Sequence, residues 1–240
     1  MVRRTSSLYG VDSRLRKELK PLPKQVTVVK HPIILEQLSI ARNKNSNQIE
    51  FRKAIYRIGR HMAYEFMRTL ELQEYSMETP LSKTTGYRVL ERDKVLIVLV
   101  LRAAIPFVEG LYKMFPMART GIISAWRGPA PKFKVDVNYV KIPDISQQDT
   151  VMVADPMLAT GNTLIEIGKK VLQRGRPKRL VFISVLAVMV GIKRIIKEFP
   201  EAEIYTCAID PELNRKGYIV PGLGDAGDRC FGSPERHEIK

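Results

Sequence analysis

Two hydrophobic periods alternate along the chain. Short unbroken apolar runs are each followed by stretches in which apolar positions recur every three or four residues. The first pattern reads as a strand buried on both faces, the second as a helix lying against it. Val26–Val29 is a short strand and Ile33–Ile40 a short helix. Asn47, with Glu50 three residues on, starts a long helix in capping-box fashion, and Phe51, Ile55, Ile58, Met62, Phe66 and Leu70 share its apolar face. Met77–Leu90 reads as a two-stranded flap. Lys94–Leu101, apolar after its first residue, is a central strand, and Pro106 then opens a helix bearing Phe107, Val108, Leu111, Met114 and Phe115. Gly121–Trp126 and Val135–Ile142 are strands on either side of a basic, Gly/Pro-broken segment. Val151–Asp155 is a buried strand, and Leu164–Leu172 a helix terminated by Gly175 and Pro177. Arg179–Leu186, Ala187–Phe199 and Glu203–Asp210 complete the series as strand, helix and last central strand. This alternation predicts an α/β fold: a doubly wound, mainly parallel sheet flanked by helices, with a small β flap.

The chain has 240 residues, 45% of them hydrophobic, which suits one large domain with its own core. Residues 1–25 form a basic, Pro-punctuated arm, and 26–240 the domain. No apolar run approaches the roughly 20 residues of a membrane span, and Arg3-Arg4 lacks the apolar stretch of an export signal. The two cysteines, Cys207 and Cys230, argue against a disulfide scaffold or zinc site and fit the reducing cytoplasm. A formal net charge of +15 suits nucleic acid, an acidic small substrate or plain solubility. The basic residues are spread out, with none of the aromatic interleaving of single-strand binders.

The candidate chemistry sits where strands end. Val151–Asp155 breaks at Pro156 and passes through Met157, Leu158, Ala159, Thr160, Gly161, Asn162 and Thr163 into a helix. Strand, small-residue loop and helix N-terminus together hold phosphate well: loop amides point inward and the helix dipole adds positive potential. Gly161 lets the backbone approach a ligand, and Asp155 can accept from sugar hydroxyls or hold a metal-bound water. No Walker pattern occurs, and an ordinary capped strand–helix loop is the competing reading. Arg102, at the end of another central strand, is set to meet a diphosphate in bidentate fashion, or else is a surface arginine. His61, beside Met62 on the long helix, reads as structural. Gly222, Gly224 and Gly227 spell G-x-G-x-x-G, but a dinucleotide site needs the motif to open a helix in a βαβ unit, and Pro234 and the end of the sequence stand in the way.

These segments carry a resemblance. Asp155-Pro156-Met157-Leu158-Ala159-Thr160-Gly161-Asn162-Thr163 resembles the phosphoribosyl-diphosphate (PRPP) loop of type I phosphoribosyltransferases, its Asp-Pro-Met opening being similar to the uracil branch. Tyr218–Gly232 closely resembles that branch's uracil-binding loop and hood. His31-Pro32, Arg42, Phe51-Arg52, Tyr64-Glu65 and Arg68 are similar to its amino-terminal segment. Trp126-Arg127 matches its aromatic-Arg pair, and Tyr139–Pro143 its Tyr-x-Lys-Leu-Pro. Where the family has Leu-Arg-Ala-Gly, this chain has Leu101-Arg102-Ala103-Ala104.

The resemblance implies conversion of uracil and PRPP to UMP and diphosphate in pyrimidine salvage. It assigns PRPP to Arg102, Arg127, Asp155–Thr163 and Asp225, and uracil to Ile219, Gly224, Asp225 and Ala226, with Asp225 the candidate base. It implies Mg²⁺ bound with PRPP, no metal ligands of the protein's own, and a hood built from the 77–90 flap and the 210–232 segment. It also implies a homo-oligomer, dimer or tetramer, with GTP or CTP as possible effectors. Two alternatives remain: an RNA-binding pyrimidine-operon regulator on the same body, and a transferase for another base.

Overall fold

A computed structural model describes residues 21–128 and 135–233. The basic arm up to residue 20, the segment with Lys132 and Lys134, and the tail after residue 233 lie outside the described residues. Strand β1 (Val26–Val28) leads to α1 (Pro32–Arg42), whose amino end is capped when His31 Nδ1 accepts from Ile33 N–H. Helix α2 (Gln48–Met67) begins with the reciprocal capping box foreseen at Asn47 and Glu50. It stops before Leu70, which keeps its apolar contacts from the following turn.

The flap is β2 (Leu72–Glu78) paired antiparallel with β3 (Lys83–Val89), so it starts five residues earlier than its apolar pattern suggests. The principal elements after it are β4 (Val95–Leu101), α3 (Ile105–Tyr112), β5 (Arg119–Arg127), β6 (Val135–Lys141), β7 (Thr150–Ala154), the two-residue β8 (Met157–Leu158) and α4 (Asn162–Leu172). Strand β9 (Arg179–Val188) runs two residues past its expected end, which shortens α5 to Met189–Glu198. Strand β10 (Glu203–Asp210) is followed by a small hairpin, β11 (Glu212–Leu213) and β12 (Ile219–Val220). A six-residue helix, α6 (Ala226–Phe231), closes the described chain, so the glycine loop does open a helix, though a short one outside any βαβ unit.

The main sheet runs β1-β10-β9-β7-β4-β5-β6, parallel except for β6. Its two winding directions part between β7 and β4. From β4 the chain crosses by α3 to β5; from β7 it crosses by α4 to β9 and by α5 to β10. Helices α1, α2 and α3 cover one face, where Phe51, Phe66, Phe107 and Phe115 are fully buried. Helices α4 and α5 cover the other, over Val153, Phe182 and Ile204. A crevice at the carboxyl ends of strands that diverge this way is where such sheets bind ligands. The flap joins the carboxyl end of α2 to the start of β4, and is therefore rooted at the amino ends of the strands, away from that crevice.

Candidate active site

Asp155 follows β7 and is held by its own backbone: Asp155 N–H donates to Ile183 C=O, and Oδ1 accepts from Met157 N–H at 3.1 Å. Pro156 has no N–H, but its carbonyl accepts from both Val185 and Leu186 N–H. Strand β8 then pairs with Leu186 and Ala187. The loop is thus stitched to β9 before it turns into α4. Gly161 is the N-cap residue at φ 82°, a left-handed conformation that suits glycine and leaves the cap itself without a side chain, while Thr160 Oγ1 accepts from Asn162 N–H at 3.4 Å. First-turn amides of α4 therefore face a small concavity lined by Met157, Leu158, Ala159, Thr160, Gly161 and Thr163.

Two supports of this loop were not visible as such in the sequence. The Cα of Gly191, third residue of α5, lies so close to the loop that a Cβ there would stand 2.2 Å from the carbonyl oxygen of Ala159. Arg194, one helical turn on, donates from Nη1 to Thr160 C=O at 3.0 Å.

The larger cleft beside the loop encloses about 240 Å³. On one side it is lined by Leu101, Asp155, Met157, Ala159 and Thr163; on the other by Tyr218, Ile219, Gly224, Asp225 and Ala226. Residues that lie more than fifty positions apart in the sequence therefore share one space. Asp225 caps α6, its Oδ1 accepting from Asp228 N–H, and its Oδ2 lies 3.4 Å from the Tyr218 hydroxyl, which donates to it. The Leu101–Arg102 and Val220–Pro221 peptides that flank the cleft are cis. Arg102 is exposed at the end of β4 and reaches Asp228 Oδ1 at 3.3 Å, across from the carboxyl-terminal loop. Arg127 ends β5, with its side chain outside the described residues. Asn162 opens α4. No residue of the β2–β3 flap is among those that line this cleft.

The carboxyl-terminal wall is fastened to the α1–α2 corner. Asp210, the buried last residue of β10, takes a bidentate fork from Arg42, at 2.8 and 2.6 Å, and accepts from Gly222 N–H at 2.9 Å. Arg229 donates to the carbonyls of Ala41, Leu223 and Asn43.

Chemically the cleft offers an anion cradle at a helix N-terminus, carboxylates from both walls and a rim arginine. Among the described residues no cluster of three His, Cys, Asp or Glu is set to hold a metal. Asp155 and Asp225 both line the cleft, and these are the carboxylates that would meet a hard cation that keeps most of its waters and binds mainly through substrate phosphates.

The uracil phosphoribosyltransferase family model matches residues 28–233. The uracil phosphoribosyltransferase of Thermococcus gammatolerans is 56% identical over 203 residues, spanning 85% of this chain and 91% of that protein. The solved structure of the AQ2163 protein from Aquifex aeolicus superposes with a TM-score of 0.79 at 30% identity, covering 86% of this chain and 98% of that one. Adenine phosphoribosyl transferase from Trypanosoma brucei, at 8% identity and a TM-score of 0.52 over 78% of this chain and 85% of that one, shares the fold.

Proposed function

The chain belongs to the uracil phosphoribosyltransferase family, and from that premise we propose how this cleft joins uracil to the ribose of PRPP with loss of diphosphate. One observation carries the reading: the Asp155–Thr163 loop and the 219–226 loop line the same cleft. The first is shaped for a sugar phosphate and the second presents backbone groups to a flat base.

The 5′-phosphate of PRPP takes the first-turn amides of α4 and the loop amides from Ala159 to Thr163. Asp155 accepts from the ribose hydroxyls, its Oδ1 already oriented by Met157 N–H. Arg102 and Arg127 meet the diphosphate, where a guanidinium matches two oxygens at once. Arg102 then exchanges its exposed Asp228 partner for the substrate. Ile219, Gly224, Asp225 and Ala226 orient uracil so that N1 faces the ribose carbon, and the Asp225 carboxylate, which lines the cleft, takes the N1 proton. Mg²⁺ arriving with PRPP would neutralise diphosphate charge between the carboxylates of Asp155 and Asp225. The protein's contribution is positioning and fixed charge around a developing cation at the ribose carbon, rather than a covalent intermediate.

The test is a substrate panel: PRPP with uracil, orotate, hypoxanthine or adenine. Diphosphate release with uracil alone is expected; preference for another base overturns the reading. A salt-dependent mobility shift with pyrimidine-operon RNA, without turnover, would favour the regulator.

Finer properties belong to the same proposal. The β2–β3 flap exposes Leu72, Tyr75, Met77, Leu81 and Tyr87, and a lone two-stranded ribbon is marginal in water. A second copy of the chain would cover it, and light scattering should give a dimer or tetramer mass. Burial lowers the His61 pKa, and so does repulsion from Arg60, His31 and Arg57. Titrating GTP or CTP into the assay tests whether either nucleotide is an effector. The free, buried cysteines suit the cytoplasm. No described helix is long and apolar enough to cross a membrane.

A further inference from the structure

We infer that Arg42 and Arg229, neither of which lines the cleft, are positioning residues that hold the base-facing loop in register by clamping it to the α1–α2 corner. The inference rests on reading 219–226 as the base loop and goes beyond it by naming what sets that loop's shape.

The clamp is built from both sides of one peptide. Gly222 donates its N–H to Asp210 Oδ2 at 2.9 Å, and its carbonyl accepts from Arg42 Nη1 at 2.8 Å. Arg42 meanwhile forks onto both oxygens of Asp210. The next carbonyl, Leu223, accepts from Arg229 Nη1 at 2.8 Å. Arg229 also donates to Ala41 C=O and Asn43 C=O at the end of α1, and its guanidinium lies 4.2 Å from the centre of the Phe51 ring. Gln48, the first residue of α2, adds a bond from Nε2 to Cys230 C=O at 2.9 Å.

Two guanidiniums thus tie consecutive backbone units of the loop to a helix corner some 180 positions earlier in the sequence. The choice of arginine follows from geometry. Each position needs a planar fork that satisfies a carboxylate and a carbonyl, or several carbonyls, at once; an ammonium on a flexible stem cannot do this. Asp210 is 5% exposed, so its charge requires that partner.

A loop that reads a base through backbone groups has no side chain to re-aim when it drifts. Such constellations tolerate about 0.5 Å. Loosening the clamp therefore falls on uracil before PRPP, whose cradle is anchored separately on β9 and α5.

The experiment is steady-state kinetics of Arg42→Lys and Arg229→Lys with each substrate varied in turn. In both variants the KM for uracil should rise about ten- to a hundredfold, with the KM for PRPP held within about twofold. An unchanged uracil KM in a folded variant, or equal rises for both substrates together with a fallen Tm, overturns the inference. Hydrogen exchange on the wild-type chain gives a reading even if neither variant folds. The Gly222 and Leu223 region should be protected before uracil is added, and exchange there at free-peptide rates would also overturn it. Wild-type protein that does not use uracil refutes the functional proposal; active wild type with an indifferent Arg42→Lys refutes only the clamp.

Discussion

Replacing Gly191 with alanine sets two effects against each other. Within a helix, alanine is favoured over glycine by about 1 kcal/mol, so the substitution should stabilise α5. The added methyl would however stand 2.2 Å from the Ala159 carbonyl oxygen and 3.2 Å from Leu158 Cδ1. Relaxing the first contact requires a displacement of roughly 1 Å. Helix α5 cannot easily supply it, because Ile192 and Ile195 are fully buried against the sheet. The Asp155–Thr163 loop moves instead. Overpacking of this kind costs about 1–3 kcal/mol, which exceeds the propensity gain, and Tm should fall by a few degrees. The larger consequence is catalytic. A cradle displaced by about 1 Å is expected to lose about a hundredfold in kcat/KM for PRPP, or about 2.7 kcal/mol of transition-state stabilisation. Val190→Ala, at a neighbouring exposed position of the same helix, serves as control and should change neither quantity. Initial rates with PRPP varied at saturating uracil, beside a thermal melt, decide the matter. A Gly191→Ala protein with wild-type kcat/KM and raised Tm would show that α5 does not set the cradle.

Three further outcomes follow from individual groups. Asp155→Asn keeps an acceptor for Met157 N–H but removes the charge, so kcat/KM for PRPP should fall about a hundredfold with Tm nearly unchanged; activity within threefold of wild type refutes Asp155's assignment. Burial pushes the Asp149 carboxyl up, but hydrogen bonds from Ser146 N–H and Arg119 outweigh it and hold the group below its usual range. A depressed carboxyl stabilises above its unfolded pKa and loses that contribution as pH falls, so Asp149→Asn should cost about 2 kcal/mol at pH 7 and the gap in melting temperature should close below about pH 4; a gap constant down to pH 2 would contradict this. Burial pushes the Cys230 thiol up to about 11, so iodoacetamide at pH 8 should label it only after denaturation, and prompt labelling of the folded protein would disprove the packing of α6.

Features written in local pattern were legible beforehand. The capping box at Asn47 and Glu50, the all-apolar β4 and the Asp155–Thr163 turn each depend on near neighbours in sequence, and each forms where its residues indicate. Boundaries failed where periodicity continues past the backbone change. Leu70 keeps helical spacing after α2 has ended, because it still packs against the same core. Ala187 and Val188 are small or β-branched and buried, and they extend β9 instead of opening α5. The flap pattern did not reveal which end of the strands it leaves from, because that follows from topology. The loop supports were hidden for the same reason. Nothing near Gly191 or Arg194 in sequence announces the Ala159–Thr160 segment beside them. Arg42, Asp210 and Arg229 are unremarkable charges until the fold brings them together.

The carboxyl-terminal wall of the cleft is made of residues 218–226, whereas its fastening begins at residue 42. A chain growing on the ribosome completes the Asp155–Thr163 loop and its supports, as far as Arg194, with more than twenty residues still to be added before the facing wall begins at Tyr218. Premature termination anywhere in that interval would leave Arg42 without Gly222, and the corner of α1 and α2 without the wall it fastens.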